Sequence, residues 1–280
     1  MSLLMAHSDP DDEEPDLAEE ISNEEIAAAP NEVADPQQIV DAKIPADIRA
    51  RYEVHSYRNA AVILSETRRD EFEQILDALR IFKLTTKMIR MAGGNESEIP
   101  KLFSNVLRPQ GWYETLVQGD LRLKLIRKEQ IGTDKKGKPK FARRDEEIIR
   151  SKFLDGHKID YVKNRVAFDL EWNSKDQTFD RDLYAFNAFA QCGVVDAAIL
   201  LTRGASLTAA IRSLGPALTK SGQIEKMKSG DARPTAAKYG ASTTWMGKLL
   251  YRLNAGRNGG CPVLAIGIKP ACISDWSEKK

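Results

Sequence analysis

Asp160-Tyr-Val-Lys-Asn-Arg-Val-Ala-Phe-Asp-Leu-Glu171 alternates strictly from Arg165 onward. Arg165, Ala167, Asp169, Glu171 and Asn173 fall on one side, and Val166, Phe168, Leu170 and Trp172 on the other. This is the period-two pattern of a half-buried strand. Lys163-Asn164 supplies turn residues, so Asp160 arrives from a neighbouring strand. Like charges crowded on one sheet face cost roughly 0.2–1 kcal/mol per pair. A divalent cation offsets that cost, and Mg²⁺ is typically held by one or two carboxylates together with a substrate phosphate. The competing reading of an isolated Asp-x-Glu is a solvated polar face.

Outward from this hairpin the chain alternates strands and helices. Downstream, Asp180, Asp182, Leu183, Phe186 and Ala190 suggest a helix that Gly193 terminates. Val194–Thr202 is a nearly continuous apolar run, the signature of a strand covered on both faces. Strand, helix, strand implies a crossover and a parallel pair. Thr243–Asn254 reads as a further helix with Gly256 beyond its end, and Pro262–Ile268 as another buried strand.

Upstream, Ala61–Leu64 is a short strand or a helix start. Ser65 is placed to cap an amphipathic helix reaching Phe82 and burying Phe72, Ile75, Leu76 and Leu79. A second helix spans about Glu98–Leu107. Leu121–Ile126 alternates as a strand, Gly132–Lys140 is a basic turn, and a helix is expected over about Asp145–Leu154. The turn lysines could touch phosphates or decorate a solvated hairpin tip. The fold class that follows is α/β, with a mixed central β-sheet flanked by helices.

The formal net charge of +1 hides a division along the chain. Residues 1–42 hold thirteen acidic side chains and no Lys or Arg, leaving 42 basic against 28 acidic ones in the remainder. Residues 1–48 are therefore expected to form an acidic, disordered or transiently helical tail, solubilising or competing with a polyanion for the body. Residues 49–280 form the folded domain, and a surplus of 14 positive charges there suits nucleic acid. The start lacks the charged and apolar regions of a secretory signal. No run of about 18 apolar residues could span a membrane. Cys192, Cys261 and Cys272 show no paired spacing, which suits a reducing, cytoplasmic setting.

Several chemistries lack their residues. The chain has no G-x-x-x-x-G-K-[ST] phosphate loop, no H-E-x-x-H and no G-x-S-x-G elbow. His7, His55 and His157 are scattered; His157 is a surface histidine or an outer neighbour of Asp160. What remains is a carboxylate cluster on a basic body. Phosphodiester hydrolysis needs a cation to neutralise developing charge and activate water, and carboxylates hold that ion while Lys and Arg hold the backbone.

Asp160-x8-Asp169-x-Glu171 on a hairpin, followed by helix and buried strand, resembles the core of the PD-(D/E)xK nucleases. Within them the chain is most similar to the type II restriction endonucleases of the BstYI/BglII group, with the BamHI enzymes more distant. The residues that carry this are Lys158–Glu171, Gly111-Trp-Tyr-Glu114, Glu53-Val-His-Ser-Tyr57, Leu249-Leu-Tyr251 and Gly260–Pro270. The resemblance spans roughly residues 53–270, is loose over 174–240 and leaves out the acidic tail. It implies a restriction-endonuclease-like fold and a Mg²⁺-dependent, site-specific deoxyribonuclease. Asp160 and Asp169 would be metal-binding acids, assisted by the carbonyl of Leu170. Glu171 stands where the general pattern has lysine. The group's strand reads Glu-x-Gln, whereas this one reads Asp169-Leu-Glu171, closer to BamHI in its last acid. Whether Glu171 polarises water, binds a second ion or does both stays open. A shifted register would pair Glu171 with Asn173, and Glu71 or Glu73 could supply an outer ligand.

In this group the residues after the catalytic strand approach the bases, which points to Asn173, Ser174 and Lys175 as DNA-binding residues. In the second polar stretch, Arg233–Thr244, the candidates are Lys238, Ser242 and Thr243, with a Gly/Ser/Thr loop and helix cap as the competing account. The resemblance further implies a homodimer cutting both strands of a short palindromic site in double-stranded DNA, with a GATC core. A cognate DNA methyltransferase would act on the same site. An inactive DNA-binding protein of the same fold and a non-specific repair nuclease are the alternative functions.

Overall fold

The structure is a computed structural model that describes residues 33–91 and 98–276. Most of the expected acidic tail lies outside the described residues, but its C-terminal part does not. Helices α1 (Gln37–Lys43) and α2 (Ala46–Arg51) bury Val40, Ile44 and Ile48 in the main core. The expected boundary at residue 48 therefore falls too late. The acidic run has ended by here, where Lys43, Arg49 and Arg51 outnumber Asp41 and Asp47, and two short helices joined by the extended Ile44-Pro45 turn their apolar residues inward.

Two compact units follow from the contacts, one of residues up to Glu114 and from Ile159 onward, the other Thr115–Lys158. In chain order the next elements are β1 (Tyr52–Tyr57), α3 (Ala60–Thr67), α4 (Arg69–Ile81), α5 (Thr86–Met91), α6 (Glu98–Leu107), β2 (Tyr113–Thr133) and β3 (Pro139–Lys163). Then come β4 (Val166–Glu171), α7 (Thr178–Gln191), β5 (Ala197–Arg203), α8 (Ala205–Ile211), α9 (Met246–Asn254) and β6 (Val263–Ile268). Strand order in the sheet is β1-β6-β5-β4-β3-β2. The β4–β5 and β5–β6 pairs are parallel, while β1–β6 and β3–β4 are antiparallel. The mixed α/β sheet and the crossover through α7 are as expected.

Ser65 does not cap a helix. The chain enters α3 through Asn59 in the left-handed region (φ 61°), and the Ser56 hydroxyl accepts a bond from the Ala61 amide at 3.0 Å. Ser65 lies inside α3 and donates to the Val62 carbonyl. The helix breaks at Arg68, whose guanidinium leaves to bind Asp196. Phe72, Ile75, Leu76 and Leu79 on α4 are buried as expected.

The helix expected over Asp145–Leu154 is instead part of strand β3. Local composition there favours helix, but β2 offers a long pairing edge. Cross-strand ion pairs Arg127–Glu146, Arg122–Glu147 and Arg144–Glu129 match the charges of the two strands. Asp134 closes the hairpin at the basic turn: its carboxylate accepts from the Lys136 and Lys138 amides.

Strand β4 departs from the half-buried expectation, because all six of its residues are buried. Val166, Phe168 and Leu170 face the main core, where the Phe168 ring lies 5.3 Å from Phe103 and 5.5 Å from Tyr161. A fully buried Phe of this kind contributes roughly 1.5–3 kcal/mol. Ala167, Asp169 and Glu171 face the other way and pair in register with Ala198, Leu200 and Thr202 of β5. This second face is closed rather than solvated, since α7 buries Phe179, Leu183 and Phe186. The connecting turn is Asn164-Arg165, one residue later than expected, with both residues at positive φ (40° and 72°). Arg165 tolerates that backbone because its guanidinium is bonded to Asp196.

Candidate active site

Tyr161 pairs with Phe168 across the β3–β4 hairpin, and the same register carried one residue further sets Asp160 opposite Asp169. The two carboxyl groups are near enough for Asp160 to oppose the ionisation of Asp169. Glu171 lies two residues on, at the carboxyl end of the parallel β4–β5 pair, where ligands bind in open α/β sheets. Asp160 is exposed, whereas Asp169 is 3% and Glu171 6% exposed.

A fourth acid joins them that the sequence did not single out. Asp182 on α7 is 1% exposed, and its side chain meets that of Glu171. Read only as a helix residue, Asp182 in fact occupies the inward stripe with Phe179, Leu183 and Phe186. A carboxylate at a core position of an amphipathic helix was the available signal.

The four carboxyl groups thus form one cluster in which Asp160 and Asp169, and Glu171 and Asp182, oppose each other's ionisation. Among the described residues, no three His, Cys, Asp or Glu side chains are arranged so that they could together hold a metal ion. Burial, reinforced by Asp182, Asp160 and Glu171, pushes the Asp169 carboxyl well above the usual carboxylate range. Burial, followed by the charge of Glu171, pushes Asp182 up to about 8, against the opposing pull of Arg181. Arg181 donates from Nε and Nη2 to Asp182 Oδ1, both at 3.0 Å, and more distantly from Nη2 to Glu171 Oε1 at 3.4 Å.

Glu171 Oε2 and Asp182 Oδ2 are buried without a hydrogen-bond partner. Orphaned carboxylate oxygens amid like charges form a hard, oxygen-rich donor set, which fits a divalent cation such as Mg²⁺. The donor chemistry therefore suits the ion expected from the sequence, while the side chains as placed do not form a three-ligand cage around one point.

A testable consequence concerns pH. A carboxyl raised in the folded protein keeps its proton where the unfolded chain has lost it, so its stabilising effect is greatest at low pH and fades as pH climbs from about 4 to 8. Asp182→Asn removes that fade. In EDTA the variant is expected to match wild type at pH 4.5 (about one unit above an ordinary aspartate) and to exceed it by about 1–2 kcal/mol at pH 8.5. Urea unfolding at the two pH values checks this; a variant less stable than wild type at the higher pH contradicts it.

The other candidates sort by position. Glu71 is buried, but its Oε1 accepts from Asn164 Nδ2 at the turn end of β4, away from the acids; Glu73 is exposed beside Arg80. Neither supplies an outer ligand. His157 is exposed.

The two polar segments named for DNA meet in a short ladder. Lys175 bridges Thr243, the Asp176 amide donates to the Ser242 carbonyl at 2.8 Å, and the Thr244 amide to the Ser174 carbonyl at 2.9 Å. Asn173 Nδ2 donates to the Lys238 carbonyl at 3.0 Å. Helix α9 consequently begins at Met246 rather than Thr243. Lys175 is exposed, and Ser174, Ser242 and Thr243 are half-buried. Lys238 is turned inward: its side chain is 11% exposed and its ammonium is held by Glu225 and the Leu218 carbonyl. It shapes the segment and does not present charge to a ligand.

Arg203, absent from the sequence-based candidates, ties this ladder to the acidic strand. Fully buried, it donates to the carbonyls of Trp172 and Thr244 and to Thr243 Oγ1, with its guanidinium 4.8 Å from the Tyr239 ring.

No curated protein matches the chain. The model of the restriction endonuclease BglII/BglIII family matches residues 52–268. That match runs from the first residue of β1 to the last of β6, taking in every strand and both carboxylate pairs, and the chain therefore belongs to the BglII/BglIII family of restriction endonucleases, type II DNA-cleaving hydrolases.

Proposed function

We propose that this protein is a Mg²⁺-dependent endonuclease that acts as a homodimer and cuts both strands of duplex DNA at a short palindromic site with a GATC core. The observation that supports the metal-dependent reading is Asp160 set opposite the buried Asp169, with the unpartnered oxygens Glu171 Oε2 and Asp182 Oδ2 adding to the same acidic cluster. Such a cluster is unfavourable by itself and is completed by a cation.

Asp160, Asp169 and the carbonyl of Leu170 would hold the ion. When bound, it supplies positive charge against the anionic phosphodiester and lowers the pKa of a water. Glu171 has an oxygen to which no hydrogen bond is donated and which can accept the proton of the attacking water, with Asp182 as its acidic neighbour on α7. The products are a 5′-phosphate and a 3′-hydroxyl. The ladder beside the acids meets the DNA, Ser174, Lys175 and Ser242 offering it their side chains while Asn173 and Thr243, bonded inward, set the ladder's spacing, with Lys238 holding the loop behind them. Two-fold protein symmetry would match a palindromic site, and a cognate methyltransferase would protect the same sequence.

Plasmid DNA incubated with the purified protein in Mg²⁺, and in parallel in EDTA, tests the proposal. Discrete fragments in Mg²⁺ with intact plasmid in EDTA are expected. A smear would point to a nuclease without site preference. Intact DNA in Mg²⁺, with binding retained, would point to a non-catalytic DNA-binding protein.

A further inference from the structure

We propose that Arg181 grips the scissile phosphate, so that this chain supplies a catalytic cation of its own beside any metal; the assignment rests on the nuclease reading above. Among the described residues, Arg181 is the cation bonded to the clustered carboxylates. Arg108, the other guanidinium nearby, bonds only main-chain carbonyls, those of Asp160 and Trp112, and lies over the Tyr161 ring.

The way Arg181 is held distinguishes it from a simple counter-ion. Nε and Nη2 converge on a single oxygen, Asp182 Oδ1, while Asp182 Oδ2 is left without a partner. A pair formed only to neutralise Asp182 would match both donors to both oxygens in a parallel fork. Here one edge of the guanidinium is anchored, and Nη1 takes no part in either bond. The contact to Glu171 is long, at 3.4 Å, and easily exchanged for a stronger acceptor.

Exposure points the same way. The carboxylates on either side, Glu171 and Asp182, are buried, yet the Arg181 side chain is 46% exposed. A ligand approaching the acids from solvent therefore meets this guanidinium. The planar fork suits two phosphate oxygens, and a phosphodiester entering four acidic groups needs opposing positive charge. Asp182, in this account, is a positioning residue that fixes the guanidinium from behind.

The test uses the full chain and a synthetic duplex carrying the cut position mapped in the plasmid digest. The scissile linkage is either a natural phosphate or a neutral methylphosphonate. Affinities are measured by fluorescence anisotropy in EDTA for wild type, R181A, R181K and R181A/D182N, and cleavage of the natural duplex in Mg²⁺. Neutralising the phosphate is expected to change the affinity of wild type and of R181A by ratios that differ about tenfold, the coupling a direct contact produces. The R181A kcat should fall on the order of 10²–10³-fold, R181K should recover part of it, and R181A/D182N none.

Matching ratios for wild type and R181A would overturn the contact. So would undiminished cleavage by R181A. Recovery of cleavage in R181A/D182N would reduce Arg181 to a counter-ion of Asp182. If R181A unfolds below the assay temperature, the same comparison of the two linkages is made with R181K, where an unchanged ratio and rate overturn the assignment. A wild-type protein that cuts no duplex refutes the nuclease reading itself, before any variant is made.

Discussion

Asp169→Asn is expected to slow DNA cleavage by on the order of 10³-fold or more while leaving duplex affinity within about threefold. Asp169 is the acid most completely enclosed by the others: Asp160 faces it across the hairpin, Glu171 shares its strand face, and Asp182 reaches it from α7. The amide keeps the size and the main-chain contact, in which Asp169 Oδ1 accepts from the Leu170 amide at 3.0 Å. What it removes is the charge that holds a cation. Loss of rate therefore reports on chemistry and not on folding, and removal of one like charge should raise stability in EDTA. The exposed partner offers a second route to the same result, since Asp160→Ala disturbs little packing. Single-turnover cleavage and anisotropy on the same preparation check both. Cleavage by Asp169→Asn within tenfold of wild type would remove Asp169 from the site.

The parts of this fold legible in the sequence were those in which one local pattern had a single physical outlet. The apolar runs of β5 and β6 cannot sit anywhere but in a sheet covered on both faces, and each lies within a residue or a few of its expected span. The β3–β4 hairpin was marked by turn residues just before the alternating segment that begins at Arg165, and it delivered Asp160 opposite Asp169. The ladder joining residues 174–176 to 242–244 brings together two stretches that the sequence nominated separately.

The misses share a cause, which is that a distant segment decided the outcome. Residues 145–154 look helical until β2 offers a partner with complementary charges. Alternation in β4 indicates two faces but cannot say that α7 closes the second one, and that closure turns Asp169 and Glu171 into buried acids. Asp182 escaped notice because an acid near the start of a helix has an ordinary explanation in the helix dipole. Its neighbours Phe179, Leu183 and Phe186 make that explanation insufficient. Arg203 ends an apolar run as any strand-terminal cation would, and only the folded chain reveals where its donors go.

Arg203→Ala should have the largest effect on stability of any change outside the hydrophobic core, about 3–5 kcal/mol. The side chain bonds three acceptors on two separate segments: the carbonyl of Trp172 just beyond β4, and Thr243 Oγ1 and the Thr244 carbonyl before α9. Among the described residues no carboxylate neutralises it; the Tyr239 ring face does so in part, and burial pulls its pKa down to about 10. Truncation leaves those acceptors unpaired and opens a cavity beneath Trp172, whose Nε1 and whose neighbour Asn173 Oδ1 already lack partners. Two further variants separate the contributions. Arg203→Met fills the volume and removes a desolvated charge, so it should lose less than the alanine variant. Arg203→Lys keeps charge but not the fork, and one ammonium cannot serve acceptors spread over both segments. Urea unfolding midpoints should therefore order as wild type, then Met or Lys, then Ala. The same bonds set the spacing between residues 173–175 and 242–243, so Arg203→Met, although folded, should discriminate its cut site from a duplex with one altered base pair less sharply than wild type. An alanine variant within 1 kcal/mol of wild type (about the net worth of one ordinary hydrogen bond) would show that the segments stay together without Arg203. Unchanged site discrimination in a folded Met variant would free the DNA-facing ladder from any dependence on it.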